Sequence, residues 1–192
     1  MSDEKKLIKK ILSGRKDLFA ELVASYQNLV VHIVYGMVTA QADRDDLCQE
    51  IFLRIYVNLS SFKFKCKLST WIGRIAYNAC LNHYAKKRPD TQHFNSDDNE
   101  PEPLDQIPGS SQQPDDVLMN GEIVQHLKRE VLKLPTKYRI AISLYHFDEL
   151  SYKEIAGIMN LSIENVKVRL YRGRAILRQN LLKHFSEEEL KL

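Results

Sequence analysis

Apolar residues recur along most of this chain at intervals of three and four, the repeat of an amphipathic helix, and nowhere alternate for long as a strand would. Glu4 to Leu12 and Lys16 to Tyr26 read as one or two helices. Leu29 to Val38, apolar on nearly all sides, reads as a core helix. A further helix opens near Asp43 to Asp45, because acids are favoured at a helix's positive end. Its stripe is Leu47, Ile51 and Ile55, joined by Phe52. After the loop SSFKFKCKLS, Ser69 and Thr70 are expected to cap a helix from Trp71 to about Lys87, with Ile72, Ile75, Ala76 and Ala79 inward. Val117 to Leu134 is helical again, and Pro135 starts a helix from Thr136 to Phe147.

The sharpest local signal lies in SYKEIAGIMNLSIENVKVRLYRGR, residues 151–174. A short helix, Tyr152 to Met159, carries Ile155, Ala156 and Met159 on one side. Asn160 tolerates the left-handed backbone that a tight turn needs, and Ser162 is a good N-cap for a second helix. In that second helix Val166, Leu170, Gly173 and Leu177 recur at helical spacing. Lys167, Arg169, Arg172, Arg174 and Arg178 follow Asn165 without an acid among them. This is the pattern of a helix-turn-helix, whose second helix lies in the DNA major groove.

Composition adds an organising break. Residues 89–115 are rich in Pro, Asp, Ser and Gln and poor in apolar side chains, the signature of a flexible linker. The expected fold is therefore all-α, two small helical domains joined by a flexible acidic linker. Net charge is only +3, but the charge is distributed in blocks. Phe62 to Arg88 carries seven cations and no acid, and Asp90 to Asp116 carries eight acids and no Lys or Arg.

The basic block also holds Phe62, Phe64, Trp71, Tyr77, Tyr84, Asn78 and Asn82. Cations engage phosphates, rings stack on unpaired bases and amides read base edges. Together they suit single-stranded nucleic acid or a base drawn out of the duplex. The preceding helix differs: Asp45, Asp46, Gln49, Glu50 and Arg54 lie outside its apolar stripe. Such a face repels DNA, and either keeps the helix in solution or docks a partner with basic residues.

Other classes fit poorly. Cys48, Cys66 and Cys80 are odd in number and widely spaced, which argues against disulfides and structural zinc and suits a reducing cytosol. MSDEKKLIKK does not read as a signal peptide, and the run Leu29 to Val38 is too short to span a bilayer. The expectation is a soluble cytoplasmic protein that inserts in no membrane. There is no acid–histidine cluster at metal-ligand spacing and no glycine-rich phosphate loop, so neither an enzyme nor a bound metal or cofactor is expected. A plain DNA-binding regulator would need the helix-turn-helix alone, and would leave the aromatic basic loop and the acidic helix without a purpose.

DDLCQEIFLRIY, then STWIGRIAYNACLNHYAKKR, then LPTKYRIAISLYHFDELSYKEIAGIMNLSIENVKVRLYRGRAIL resemble, in order and separation, the extracytoplasmic-function group of sigma factors in the sigma-70 family. The resemblance implies a promoter-directing subunit of bacterial RNA polymerase, with no catalytic residue of its own. It implies region 2 within residues 1–88, a linker at 89–115, and region 4 within 116–192. Asp46, Gln49, Glu50 and Arg54 would dock on the β′ clamp helices, and region 4 on the β flap, of the core enzyme. Phe62, Lys63, Phe64, Lys65 and Lys67 would capture a flipped base of the −10 element. Arg74, Asn78, Asn82, Lys86 and Arg88 would read and melt it. Ser162, Lys167, Val168, Arg169, Tyr171, Arg172 and Arg174 would serve the −35 element. The family also implies an anti-sigma factor that masks both regions. Asn82 stands where many relatives carry Asp.

Overall fold

A computed structural model describes residues 3–87 and 121–186 of the chain, so the linker and Arg88 lie outside the described residues. Those residues form eight α-helices: α1 (Asp3–Leu12), α2 (Phe19–Met37), α3 (Gln41–Asn58), α4 (Leu68–Lys87), α5 (Gly121–Lys133), α6 (Thr136–His146), α7 (Tyr152–Met159) and α8 (Ile163–Leu181).

The central element is α2, and it corrects the sequence reading. The two expected pieces, to Tyr26 and from Leu29, form one uninterrupted helix. Gln27 and Asn28 break the apolar run but lie on the exposed side, and nothing there stops a helix. Leu22, Val30, Ile33 and Val34 are fully buried, because α2 packs against α3 and α4 on one side and α6 on the other. Residues 16–37 are long and apolar enough to cross a membrane by length and composition. In this fold α2 is a packing core, and truncating Ile33 to Ala would cost about 2–5 kcal/mol. The helix ends where Val38 turns extended (φ −100°, ψ 125°). Arg44 fixes that end by donating Nε to the Val38 carbonyl at 2.7 Å while stacking on Tyr35 at 4.5 Å.

The start of α4 is a second correction. It begins at Leu68, so Ser69 and Thr70 sit inside its first turn rather than capping it, and Thr70 is buried.

The helix-turn-helix forms as its sequence dictates. Asn160 is left-handed (φ 55°, ψ 50°), and the Leu161 amide donates to the Ala156 carbonyl at 3.0 Å. The Ser162 hydroxyl accepts from the Asn165 amide at 3.1 Å, capping α8. Ser151 and Glu154 add a reciprocal capping box at the start of α7, legible as Ser-x-x-Glu in SYKE. Ile155, Met159, Val166 and Leu170 close the interior between the two helices.

Sequence reading did not anticipate that the two lobes touch. A single cluster of buried residues runs from Ile8 through α2 and α4 into α6, α7 and α8. Direct contacts cross the seam: α2 lies on α6, and α4 on α7.

Candidate polymerase and nucleic-acid interfaces

The first candidate face is the outer side of α3. Packing of Leu47, Ile51 and Ile55 inward leaves Asp45, Asp46, Gln49 and Glu50 exposed. Arg54 is half-buried and donates Nε to Glu50 at 3.0 Å, one turn away. Two apolar residues that the sequence reading passed over share this surface: Leu53, 66% exposed, and Val57, also exposed. Both fall off the inward stripe, which was the available signal. The acids of this face disfavour a phosphate backbone, and an exposed apolar pair with a polar rim is the composition that protein-docking patches share.

The second face is the loop before α4. Phe62 is only 7% exposed and packs between Phe64 (ring centroids 4.7 Å apart) and Trp71 (5.3 Å). Phe64 is 42% exposed and has φ +57°, a left-handed backbone that costs a bulky residue about 1–2 kcal/mol. Strain of this kind persists where the surroundings over-determine it, as at ligand sites. Here Phe62 supports the ring from one side, and the Lys5 ammonium stands 5.2 Å from its centroid. A cavity of about 370 Å³ opens beside it, lined by Glu4, Lys5, Phe62, Phe64, Lys65, Cys66, Lys67 and Leu68. So Phe62 forms part of the cavity wall instead of standing free, while Lys63, Lys65 and Lys67 are exposed. Glu4 and Lys5 come from α1, and no local pattern in the sequence ties them to this loop. Along α4, Arg74, Asn78, Asn82 and Lys86 are all exposed at four-residue intervals, so they continue the loop's basic surface as one strip.

The third face is α8. Tyr171 is 75% exposed, Lys167 and Val168 are exposed, and Arg172 is half-buried. Arg169 departs from expectation: it is 1% exposed and faces inward in this conformation. The reason is helical geometry. Position 169 follows Val166 by three and precedes Gly173 by four, so it joins the inner stripe. Arg174 is exposed but bends back to α6, where its guanidinium lies 5.0 Å from the Tyr145 ring centroid and its Nε donates to His146 Nε2 at 3.3 Å. Burial and the neighbouring Arg174 charge hold the His146 imidazole below its ordinary value, so it stays neutral and can accept that bond. The Ser162 hydroxyl serves the helix as its cap.

The second and third faces meet at the seam. Lys67 Nζ lies 3.0 Å from Glu154 Oε1, and Arg74 Nε donates to the Gly157 carbonyl at 2.9 Å. Burial opposes ionisation of Glu154, but hydrogen bonds from Ser151 and the Lys67 ammonium outweigh it and hold the carboxyl below its usual value. Cys48 and Cys80 offer no ready nucleophile: burial, with Asp45, pushes Cys48 up to about 11, and burial pushes Cys80 up to about 12.

Comparison with known proteins places these faces in a frame. Residues 22–89 match the family model for sigma-70 region 2, and residues 125–177 match that for sigma-70 region 4. The chain is 37% identical over 180 residues to the ECF RNA polymerase sigma factor SigW of Bacillus subtilis, covering 92% of this chain and 96% of that one. It is 31% identical over 170 residues to the ECF RNA polymerase sigma-E factor of Escherichia coli, covering 88% of each. Among solved structures, the sigma factor RpoE from Bartonella quintana, crystallised with the anti-sigma factor NepR, shares the fold at TM-score 0.65. That match has 21% identity and covers 86% of this chain and 97% of that one.

Proposed function

We propose a division of labour among these three faces on the premise that the chain belongs to the extracytoplasmic-function group of sigma-70 factors, which direct RNA polymerase to promoters. The outer face of α3, through Asp46, Gln49, Glu50 and Arg54 with Leu53 and Val57 beside them, docks on the β′ clamp helices of the core enzyme. The loop from Phe62 to Lys67 takes a base flipped out of the −10 element, with the Phe64 ring as its stacking platform. Arg74, Asn78, Asn82 and Lys86, with Arg88 beyond them in sequence, hold the adjoining single strand. Lys167, Val168, Tyr171 and Arg172 enter the major groove of the −35 element, while region 4 rests on the β flap.

No covalent step is required of this chain. Opening is driven by binding: each stacked base offsets unstacking by about 1–3 kcal/mol. Two lobes on one polymerase gain further from effective concentration, so neither has to bind DNA tightly alone. Residues 1–88 and 116–192 act as the two binding units, and 89–115 as the tether. The protein works in the cytoplasm, under an anti-sigma factor that masks both units.

The observation that carries the reading is the strained, half-exposed Phe64 beside its cavity, on the same chain as a capped helix-turn-helix and an acidic docking helix. Replacing Lys167 and Tyr171 together by Ala tests the −35 assignment. Both side chains are exposed, so the fold stays intact. Loss of base and phosphate contacts, at about 1–3 kcal/mol each, predicts at least tenfold weaker holoenzyme binding to duplex −35 DNA, with unchanged co-elution with core enzyme. Retained −35 binding, or loss of core binding, would count against the assignment.

A further inference from the structure

One acid stands in the wall of an otherwise basic cavity. Of the residues that line the space beside Phe64, Lys5, Lys65 and Lys67 are cations, and Glu4 alone is an anion. A carboxylate there repels the phosphates that the lysines attract, so the backbone of a strand gives no reason for it. The fold nevertheless holds it in place. Ile8 and Ile11 bury one side of α1, and the helix rests on the turn Leu59–Ser61 that runs into Phe62. The first turn of α1, with Glu4 in it, is thereby fixed beside the loop.

Tyr26 determines what Glu4 can do. This half-buried residue of α2 donates its hydroxyl to Glu4 Oε1. Burial and the Glu4 charge push the phenol above its ordinary value, so it keeps its proton and remains the donor. Glu4 is thus held as an acceptor. A carboxylate accepts at both oxygens, so the bond to Tyr26 leaves capacity for a ligand. The helix dipole does not account for the residue. Asp3 in the same turn serves that end as well, and pairs with Lys6 at 3.4 Å.

We propose that Glu4 reads the captured base, by accepting a hydrogen bond from the exocyclic amine of that base. This deepens the assignment of the loop to a flipped −10 base and rests on it. Stacking on Phe64 is blind to sequence, since every base has a π-face, and the lysines offer donors only. Glu4 is the acceptor that such a pocket otherwise lacks. Cytosine, adenine and guanine each carry an amine that satisfies it, as carboxylates satisfy the cytosine amine in duplex recognition. Thymine carries none. Its one ring N–H lies between two keto oxygens, so a carboxylate that meets it meets them too. A site built around a hydrogen bond strongly rejects a ligand that cannot make it, because its own polar group is left unpaired. The pocket therefore selects an amino-bearing base against thymine.

Pre-melted promoter fragments, mismatched across the −10 element, test this with holoenzyme assembled from core polymerase and the full chain. The melting cost is then constant, and the non-template base can be varied alone at each position. The captured position is the one where an abasic site weakens binding most, and where Phe64→Gly removes that effect. There the wild-type holoenzyme is expected to bind the preferred amino-bearing base at least about tenfold more tightly than thymine. Glu4→Gln keeps an oxygen for Tyr26 and turns a donor toward the base. The preference is then expected to shrink to about twofold or to reverse, with melting temperature and co-elution with core enzyme unchanged. Tyr26→Phe, which lets the carboxylate turn, is expected to lower the preference part of the way. Equal binding of all four bases by the wild type, or a preference that Glu4→Gln leaves intact, would overturn the role of Glu4. An effect of Phe64→Gly would in that case still support base capture by the loop. If Phe64→Gly matches the wild type at every position, base capture falls, and the reading by Glu4 falls with it.

Discussion

Replacing Asp46 and Glu50 together by Lys is expected to abolish co-elution of this chain with core RNA polymerase while leaving its helix content and melting temperature nearly unchanged. Both carboxylates are exposed on the outer side of α3, where substitutions alter stability by at most about 0.5 kcal/mol. The one local loss is the Glu50–Arg54 pair, which becomes a like-charge pair one turn apart, at about 0.2–0.5 kcal/mol. At the docked face the same changes set cations against a basic partner surface, and like-charge juxtaposition there costs several kcal/mol. An affinity loss of about a hundredfold or more follows. Gel filtration with core enzyme beside thermal melting of the free chain checks both halves. Retained co-elution would remove α3 from the interface.

Phe64→Gly is expected to separate stability from activity. The left-handed backbone at 64 relaxes by about 1–2 kcal/mol when the side chain is removed. Loss of the ring pairing with Phe62 takes back about 0.5–1.5 kcal/mol. Glycine's greater freedom in the unfolded chain takes back about 0.4–1 kcal/mol more, so the melting temperature should change little. Promoter opening should fall by about five- to 150-fold, the equivalent of about 1–3 kcal/mol of lost stacking on one captured base. Permanganate footprinting of the −10 region with wild-type and variant holoenzyme reads the effect. A loop serving only as structure gives the opposite result, with stability lost and opening kept.

What the sequence disclosed and what it hid divide by range. The helix-turn-helix was legible because its signals are local: Asn160 for the left-handed turn, Ser162 for the cap, and Val166, Leu170, Gly173 and Leu177 at helical spacing. The acidic face of α3 was legible for the same reason. Arg169 was misplaced because charge was weighed before position, whereas the 166–169–173 spacing assigns it to the inner stripe. The expected division of α2 falls at Gln27 and Asn28, which mark only the exposed side of a continuous helix. The α1 wall of the cavity and the seam were hidden for a deeper reason. Arg74 with Gly157, Arg139 with Gly36, and His32 with Asp148 are 83, 103 and 116 residues apart. Periodicity carries no information over such separations, and Gly36, Gly73 and Gly157 read in sequence only as weak helix formers.

The most direct test is run-off transcription with purified core polymerase on genomic promoter fragments, with and without this protein. The account predicts that adding the chain converts diffuse initiation into discrete start sites on a subset of fragments that share −35 and −10 sequences. If the pattern of starts is the same with the chain present, at concentrations where it co-elutes with the core enzyme, the assignment of these faces to promoter reading is contradicted.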